Sequence, residues 1–223
     1  MAELAEGSNL RDFVRWEQEP RISREAVTVA LGQDLSIGQV IGKITKTIAT
    51  SGTPAAGNTG GGTVTSVTMG QKAKIGTYTI EAKTIVASPL EQVFQVTDPD
   101  GNLLPDAEAV GAYMSEQINF TITEGSPVIA EGDKWTVACS AGSGQVKAIN
   151  YDGVDGTQDA YGIIAQDADA SSAAISAVAI TRDAVVIGDN LVWPTVSPVW
   201  SATQKATALA QLADRGIVSR DEA

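Results

Sequence analysis

Between Thr63 and Cys139 the chain alternates apolar and polar residues with a period of two. The runs are Thr63-Val-Thr-Ser-Val-Thr-Met, Thr77-Tyr-Thr-Ile-Glu-Ala-Lys-Thr-Ile, Val93-Phe-Gln-Val, Ile118-Asn-Phe-Thr-Ile and Lys134-Trp-Thr-Val-Ala-Cys. Successive side chains of a strand point to opposite faces, so this pattern predicts short strands of an antiparallel sheet or sandwich. Asp98-Pro-Asp-Gly101 and Glu131-Gly-Asp133 carry turn chemistry between them, and Ala107 to Gln117 fits one short helix.

Outside this stretch the pattern changes. Ala26-Val-Thr-Val-Ala-Leu and Gln39-Val-Ile-Gly-Lys-Ile read as strands joined by a turn over Gly32 to Gly38, and Gln145 to Tyr151, Tyr161 to Ala165 and Ala184 to Ile187 read as further strands. A helix is expected from about Ala202 to Arg215. Ser201 and Gln204 have capping-box spacing before it, Gly216 stands where a left-handed residue ends a helix, and Ile217 can cover Leu212. The opening residues to about Pro20 place Leu10, Phe13, Val14 and Trp16 at roughly helical spacing, but Pro20 stops the segment early. Such a segment is too short to bury itself, so residues 1–22 are expected to form an arm that docks on a partner and is mobile without it.

Two small, uncharged stretches, Ala49 to Gly62 and Ser140 to Gly144, mark domain borders and read as a flexible connection and a β-turn. The expected organisation is an arm over 1–22, a core from 23–50 and 141–223, and an inserted β-rich domain over 51–140.

Composition narrows the chemistry. The 223 residues include no histidine and one cysteine, which removes Ser-His-Asp and Cys-His nucleophiles, the HExxH zinc motif and paired-cysteine metal sites. A net charge of −12 repels phosphate backbones and anionic lipid, so neither nucleic acid nor membrane is an expected partner. Cys139 lies in an apolar run and reads as a small buried hydrophobe. The opening Met-Ala-Glu-Leu-Ala-Glu lacks the basic and apolar regions of a signal peptide, which predicts a protein kept in the cell that made it or in a particle assembled there.

Gly142-Ser-Gly144 lacks the third glycine and following helix of a dinucleotide loop, and Asn58-Thr-Gly-Gly-Gly lacks the Lys-Ser/Thr pair of a phosphate loop, so no cofactor is expected. Asp152, Asp155 and Asp159, like Asp98 and Asp100, lack the spacing of a calcium loop and fit turn-capping roles; no metal is expected either. Trp193 and Trp200 flank two prolines, as in a packed corner.

Specific residues carry a family resemblance: Lys147-Ala-Ile-Asn-Tyr-Asp-Gly-Val-Asp-Gly, Ala160-Tyr-Gly-Ile-Ile-Ala, Leu191-Val-Trp-Pro194, and a Thr-, Lys- and Ala-rich helix closed by Gly-Ile-Val. In order and spacing these resemble the head decoration protein D family of tailed bacteriophages from Gln145 to Val218, with weaker support from Ser23 to Ile44. Tyr151 stands where the family pattern has Trp, and Ser51 to about Ser140 has no counterpart in the short form. The resemblance implies a mainly β (α+β) fold, with a core of β-clip type and one C-terminal helix, and here an inserted antiparallel, sandwich-like domain. It implies no catalysis and no cofactor. It implies a homotrimer on the outside of the virion head, at three-fold and quasi-three-fold positions, that contacts the major capsid protein and holds the shell against packaged DNA. On this reading Leu10, Phe13, Val14 and Trp16 are the candidate capsid-docking residues, and Trp193 and Pro194 the candidate core or trimer corner. An alternative is a phage adhesion module binding host glycans through the inserted domain; a third is an enzyme working with carboxylates alone.

Overall fold

A computed structural model describes residues 9–87, 90–194 and 200–220; the first eight residues of the expected arm and residues 195–199 between the two corner tryptophans lie outside them. The chain forms two compact units, one from Met1–Thr45 with Ser143–Ala223 and one from Lys46–Gly142. Both are built mainly from antiparallel strands, and one long helix stands near the C-terminus.

In the first unit, strands Val146–Ala148, Arg24–Val29, Ile175–Ile180, Ala160–Ile164 and Val40–Lys43 close in that order into a barrel. Neighbouring residues of three of these strands, Val40–Lys43, Ala160–Ile164 and Ile175–Ile180, serve two cores. Val29, Ile41, Val146, Ile164, Ala177 and Ala179 pack together with Leu35 and Ala168, while Val40, Ile163 and Ile180 face a second cluster with Phe13, Leu191, Trp200, Leu212 and Ile217. Ala177 and Ala179 stand in the first cluster because a barrel of only five short strands has room for small side chains inside, and Ala168 and Ala170 join them from outside the barrel strands. The helix Ala202–Asp214 covers the second cluster through Ala208 and Leu212. Ser201 and Gln204 form the expected capping box, and Gly216 has φ +81°.

The expected free arm is corrected from Asn9 onward. Leu10–Asp12 makes a 3₁₀ turn capped reciprocally by Asn9 and Asp12, and Val14–Glu17 is a strand of a three-stranded sheet with Ala184–Val186 and Ile217–Ser219. Two groups of contacts order this segment: the ladder to Ala184–Val186, and the Phe13 side chain, which is 2% exposed in the second cluster. Phe13 lies over Gly38, where a Cβ would come within 3.2 Å of its ring and φ is +83°, a backbone state open to glycine.

The second unit has a three-stranded sheet, Gly111–Tyr113, Ile118–Thr123 and Thr63–Met69, and a five-stranded one in which Lys134–Ala141 pairs with Lys46–Ile48, Thr53–Pro54 and Gly76–Ala87, and the last of these pairs with Leu90–Thr97. Their inner residues share one core, with Val64, Phe120 and Ile122 from the first and Tyr78, Ile80, Phe94, Trp135 and Val137 from the second. Cys139 is buried in it, and burial pushes its thiol pKa up. No helix forms over Ala107–Gln117. Gly111–Tyr113 is instead a strand against Phe120–Ile122, and Tyr113 stacks on Phe120 at 4.6 Å between ring centres.

The glycine-rich connection is an ordered loop. Asp133, itself buried, accepts hydrogen bonds from the backbone N–H of Thr59, Gly60 and Ala130 at 2.8–2.9 Å. The glycines permit close chain approach: a Cβ on Gly125 would lie 2.0 Å from the Gly61 carbonyl oxygen, and one on Gly60 would lie 2.5 Å from Asp133 Oδ2. Burial pushes the Asp133 carboxyl up, but the N–H donors from Ala130, Thr59 and Gly60 outweigh it and hold its pKa below the ordinary value. At the other turn the Lys74 ammonium, 2.7 Å away, holds the Asp98 carboxyl well below the usual range, helped by Asn102 and Gln117. Carboxyls depressed in the folded state contribute stability above their unfolded pKa of about 4 and lose it as pH falls towards their folded values. Acid titration of the folded unit therefore weakens it progressively below about pH 4. Asp133→Ala, which strands three backbone donors, costs at least about 1–3 kcal/mol at neutral pH and flattens that acid slope; a denaturant series across pH reads both.

Candidate docking surface

The segment Asn9–Ser23 is fixed at several points. Asn190 Nδ2 donates to the Asp12 carbonyl at 2.7 Å, Ile187 N–H to the Phe13 carbonyl at 2.8 Å, and Gln18 N–H to the Asp183 carbonyl at 3.0 Å. Glu17 takes the Arg24 guanidinium, and this hydrogen-bonded pairing raises the Arg24 pKa.

Along the strand Val14–Glu17 the register to its neighbour shifts between Val14 and Trp16, so Val14 stands opposite Val186 while Trp16 stands opposite Val185. Residues two apart on a regular strand share a face; the irregularity puts Val14 and Trp16 on opposite faces. Val14 and Leu10 are half-buried against the core, whereas Trp16 is 57% exposed. On the far side Val185 pairs with Val218, which is 39% exposed. Trp16, Val185 and Val218 thus form one outward apolar row across all three strands.

Of the four candidate docking residues, then, Phe13 is core, Leu10 and Val14 are half-buried, and Trp16 alone presents a large apolar side chain to solvent. Val185 and Val218, which sequence reasoning missed, complete the surface. Their link to Trp16 is made by long-range strand pairing and leaves no local signal.

At the corner, Leu191 is buried and Trp193 and Pro194 are half-buried. Trp193 packs on Trp200 at 5.2 Å, and Tyr151 and Trp200 meet at 5.4 Å with nearly perpendicular rings. Trp200, 7% exposed, is the buried ring of the corner. Val192 ties it to the barrel, accepting from Val40 N–H at 3.1 Å and donating to the Gly38 carbonyl at 3.0 Å. The aspartates considered as cation ligands have local roles: Asp155 accepts from Thr157 N–H and Oγ1, Asp159 from Gln211, and Asp98 from Asp100 and Asn102 N–H. Among the described residues no group of three or more acidic or cysteine side chains is placed to hold a metal ion. In the second unit Tyr78, Phe94, Tyr113, Phe120 and Trp135 are all buried, so none offers a face on which a sugar can stack.

No curated protein and no solved structure matches the chain. The family described as bacteriophage lambda head decoration protein D matches over residues 3–217, a span that includes Trp16 and Val185 of the outward row, the aromatic corner and the whole second unit. The chain belongs to the bacteriophage lambda head decoration protein D family.

Proposed function

We propose that the protein cements the mature phage head, sitting as a homotrimer at three-fold and quasi-three-fold positions and contacting the major capsid protein through the outward row Trp16, Val185 and Val218. Membership of the family makes it a structural protein of the capsid surface and not an enzyme. The observation that supports the finer reading is the exposure of Trp16, 57%, three residues from the buried Phe13 on a segment held by strand pairing. Large apolar side chains presented together on a sheet face mark interaction sites, and tryptophan is over-represented among the residues that dominate binding energy.

The test separates folding from attachment. Trp16→Ala should leave the melting curve of the free protein nearly unchanged and weaken co-sedimentation with purified expanded heads by at least about tenfold, the effect of losing a central aromatic anchor. Undiminished sedimentation moves the docking surface elsewhere. Chemical cross-linking on the heads reads the trimer: a ladder ending at three copies supports it, and monomers alone sink it.

A further inference from the structure

We propose that the depression beside the C-terminal helix, about 290 Å³ in volume and walled by Tyr151, Gln158, Asp159, Trp200, Gln204 and Gln211, binds one arginine side chain of a neighbouring protein on the head surface. The proposal rests on the decoration reading only for the source of that side chain.

Size comes first. Sites for small-molecule ligands usually run from about 300 Å³ to 1,000 Å³, so this one is at the lower limit and suits a single long side chain with little else. Its walls supply the two groups a guanidinium seeks, an aromatic surface and a carboxylate. Tyr151, half-buried, supplies the aromatic surface, and the buried Trp200 braces it at 5.4 Å with the two ring planes nearly perpendicular. Asp159 is exposed, and one of its oxygens accepts from Gln211 Nε2 at 3.2 Å while the other takes no hydrogen bond from the described residues. Gln211 is itself pinned, because its Oε1 accepts from Ala160 N–H at 2.8 Å, so the carboxylate is held from a fixed point.

Two other rings of this unit, Trp193 and Tyr161, already carry cations. Lys205 lies 5.7 Å over Trp193, and Tyr161 has Arg215 at 4.4 Å and Lys43 at 4.6 Å. The Trp200 and Tyr151 pair has no such cation among the described residues, and the only charged group lining the depression is Asp159. A cation from outside is therefore the complementary occupant.

The amides favour arginine within a peptide. Gln158 and Gln204 use their Oε1 atoms internally, accepting from Gly156 and Ser201 N–H, and their Nε2 groups donate to no described residue. They match the main-chain carbonyls that flank an arriving side chain. Arginine fits better than lysine because its planar group stacks on a ring and meets a carboxylate edge-on at once.

The test uses the full chain in solution, with side-chain NMR signals of Trp200, Gln158, Gln204 and Gln211 followed against N-acetyl-arginine methylamide. The citrulline analogue, of the same shape without charge, and a methyl glycoside serve as controls. The arginine probe should shift these signals and bind at least about tenfold more tightly than the citrulline probe. Asp159→Asn should erase that difference with the melting temperature unchanged. Equal response to arginine and citrulline, response to the glycoside alone, or no response at saturating probe overturns the proposal. Head co-sedimentation is scored separately: arginine binding without head binding overturns the decoration geometry and leaves the pocket standing.

Discussion

Phe13→Ala lowers the stability of the free protein by about 3–5 kcal/mol, the usual cost of deleting a fully buried phenylalanine, while Trp16→Ala, three residues on, changes it by less than about 0.5 kcal/mol. The contrast follows from position. Phe13 lies on Gly38 and among Val40, Leu191 and Trp200 in the core of the first unit, and its loss leaves a cavity that the closed barrel cannot collapse to fill. Trp16 projects from the other face of the same sheet into solvent. Against a stability of roughly 5–15 kcal/mol the first change takes a large share. Equilibrium denaturation of both variants checks it, and equal small effects would show that the segment is not docked in the free protein. Removing Ala2 to Pro20 as a block strips Phe13 from the core along with the docking side chain, so it cannot separate the two roles as the point substitutions do.

How much of this was legible in the sequence depends on which force shaped each element. The helix Ala202–Asp214 was readable because its determinants are local: the Ser201 and Gln204 cap at one end and the left-handed Gly216 at the other. The strands of the second unit were readable because one face is buried and one wet, which writes a period of two. Ile175–Ile180 carries no such signature. Its inward residues, Ala177 and Ala179, are small because the barrel is narrow, and an alanine-rich run has little contrast between faces. The glycine run before Thr63 was misread for a related reason: lack of side chains marks flexible linkers, and it equally marks places where two backbones touch, as Gly61 and Gly125 do.

The candidate site divides in the same way. The spacing of Leu10, Phe13, Val14 and Trp16 suggested a single apolar face of a helix, but a 3₁₀ turn followed by an irregular strand sends Phe13 and Trp16 to opposite sides. Only the pairing partners, Val186 for Val14 and Val185 for Trp16, decide which side is which. Those partners lie more than 160 residues away in the chain, so no local pattern could have assigned them.

Cutting out Lys46–Gly142 and closing the gap should leave two proteins that fold separately. The inserted unit has its own core, sixteen buried side chains among the described residues, all drawn from Lys46–Gly142. Its first and last strands pair directly, Lys46 with Ala141 and Ile48 with Cys139, so its ends are about 5 Å apart without any help from the rest of the chain. In the first unit the cut ends also meet: Gly144 N–H donates to the Ile44 carbonyl at 3.0 Å, and Ile44 N–H to the Gln145 carbonyl at 2.9 Å. Gly144, at φ +73°, and Gln145 together oppose Ile44, the pattern of a bulge with a left-handed first residue, so Ile44 and Gly144 can be joined through two type I turn residues such as Pro-Asp in place of Thr45 and Ser143, Gly144 closing the loop. The shortened chain should unfold in one cooperative transition and still sediment with heads, since Trp16, Val185 and Val218 all remain. Residues 46–142 alone should show a separate transition with the acid sensitivity set by Asp98 and Asp133. Failure of either piece to fold, with the whole chain intact, would show that the units depend on each other. Loss of head binding by a folded shortened chain would instead place part of the docking energy in the insert.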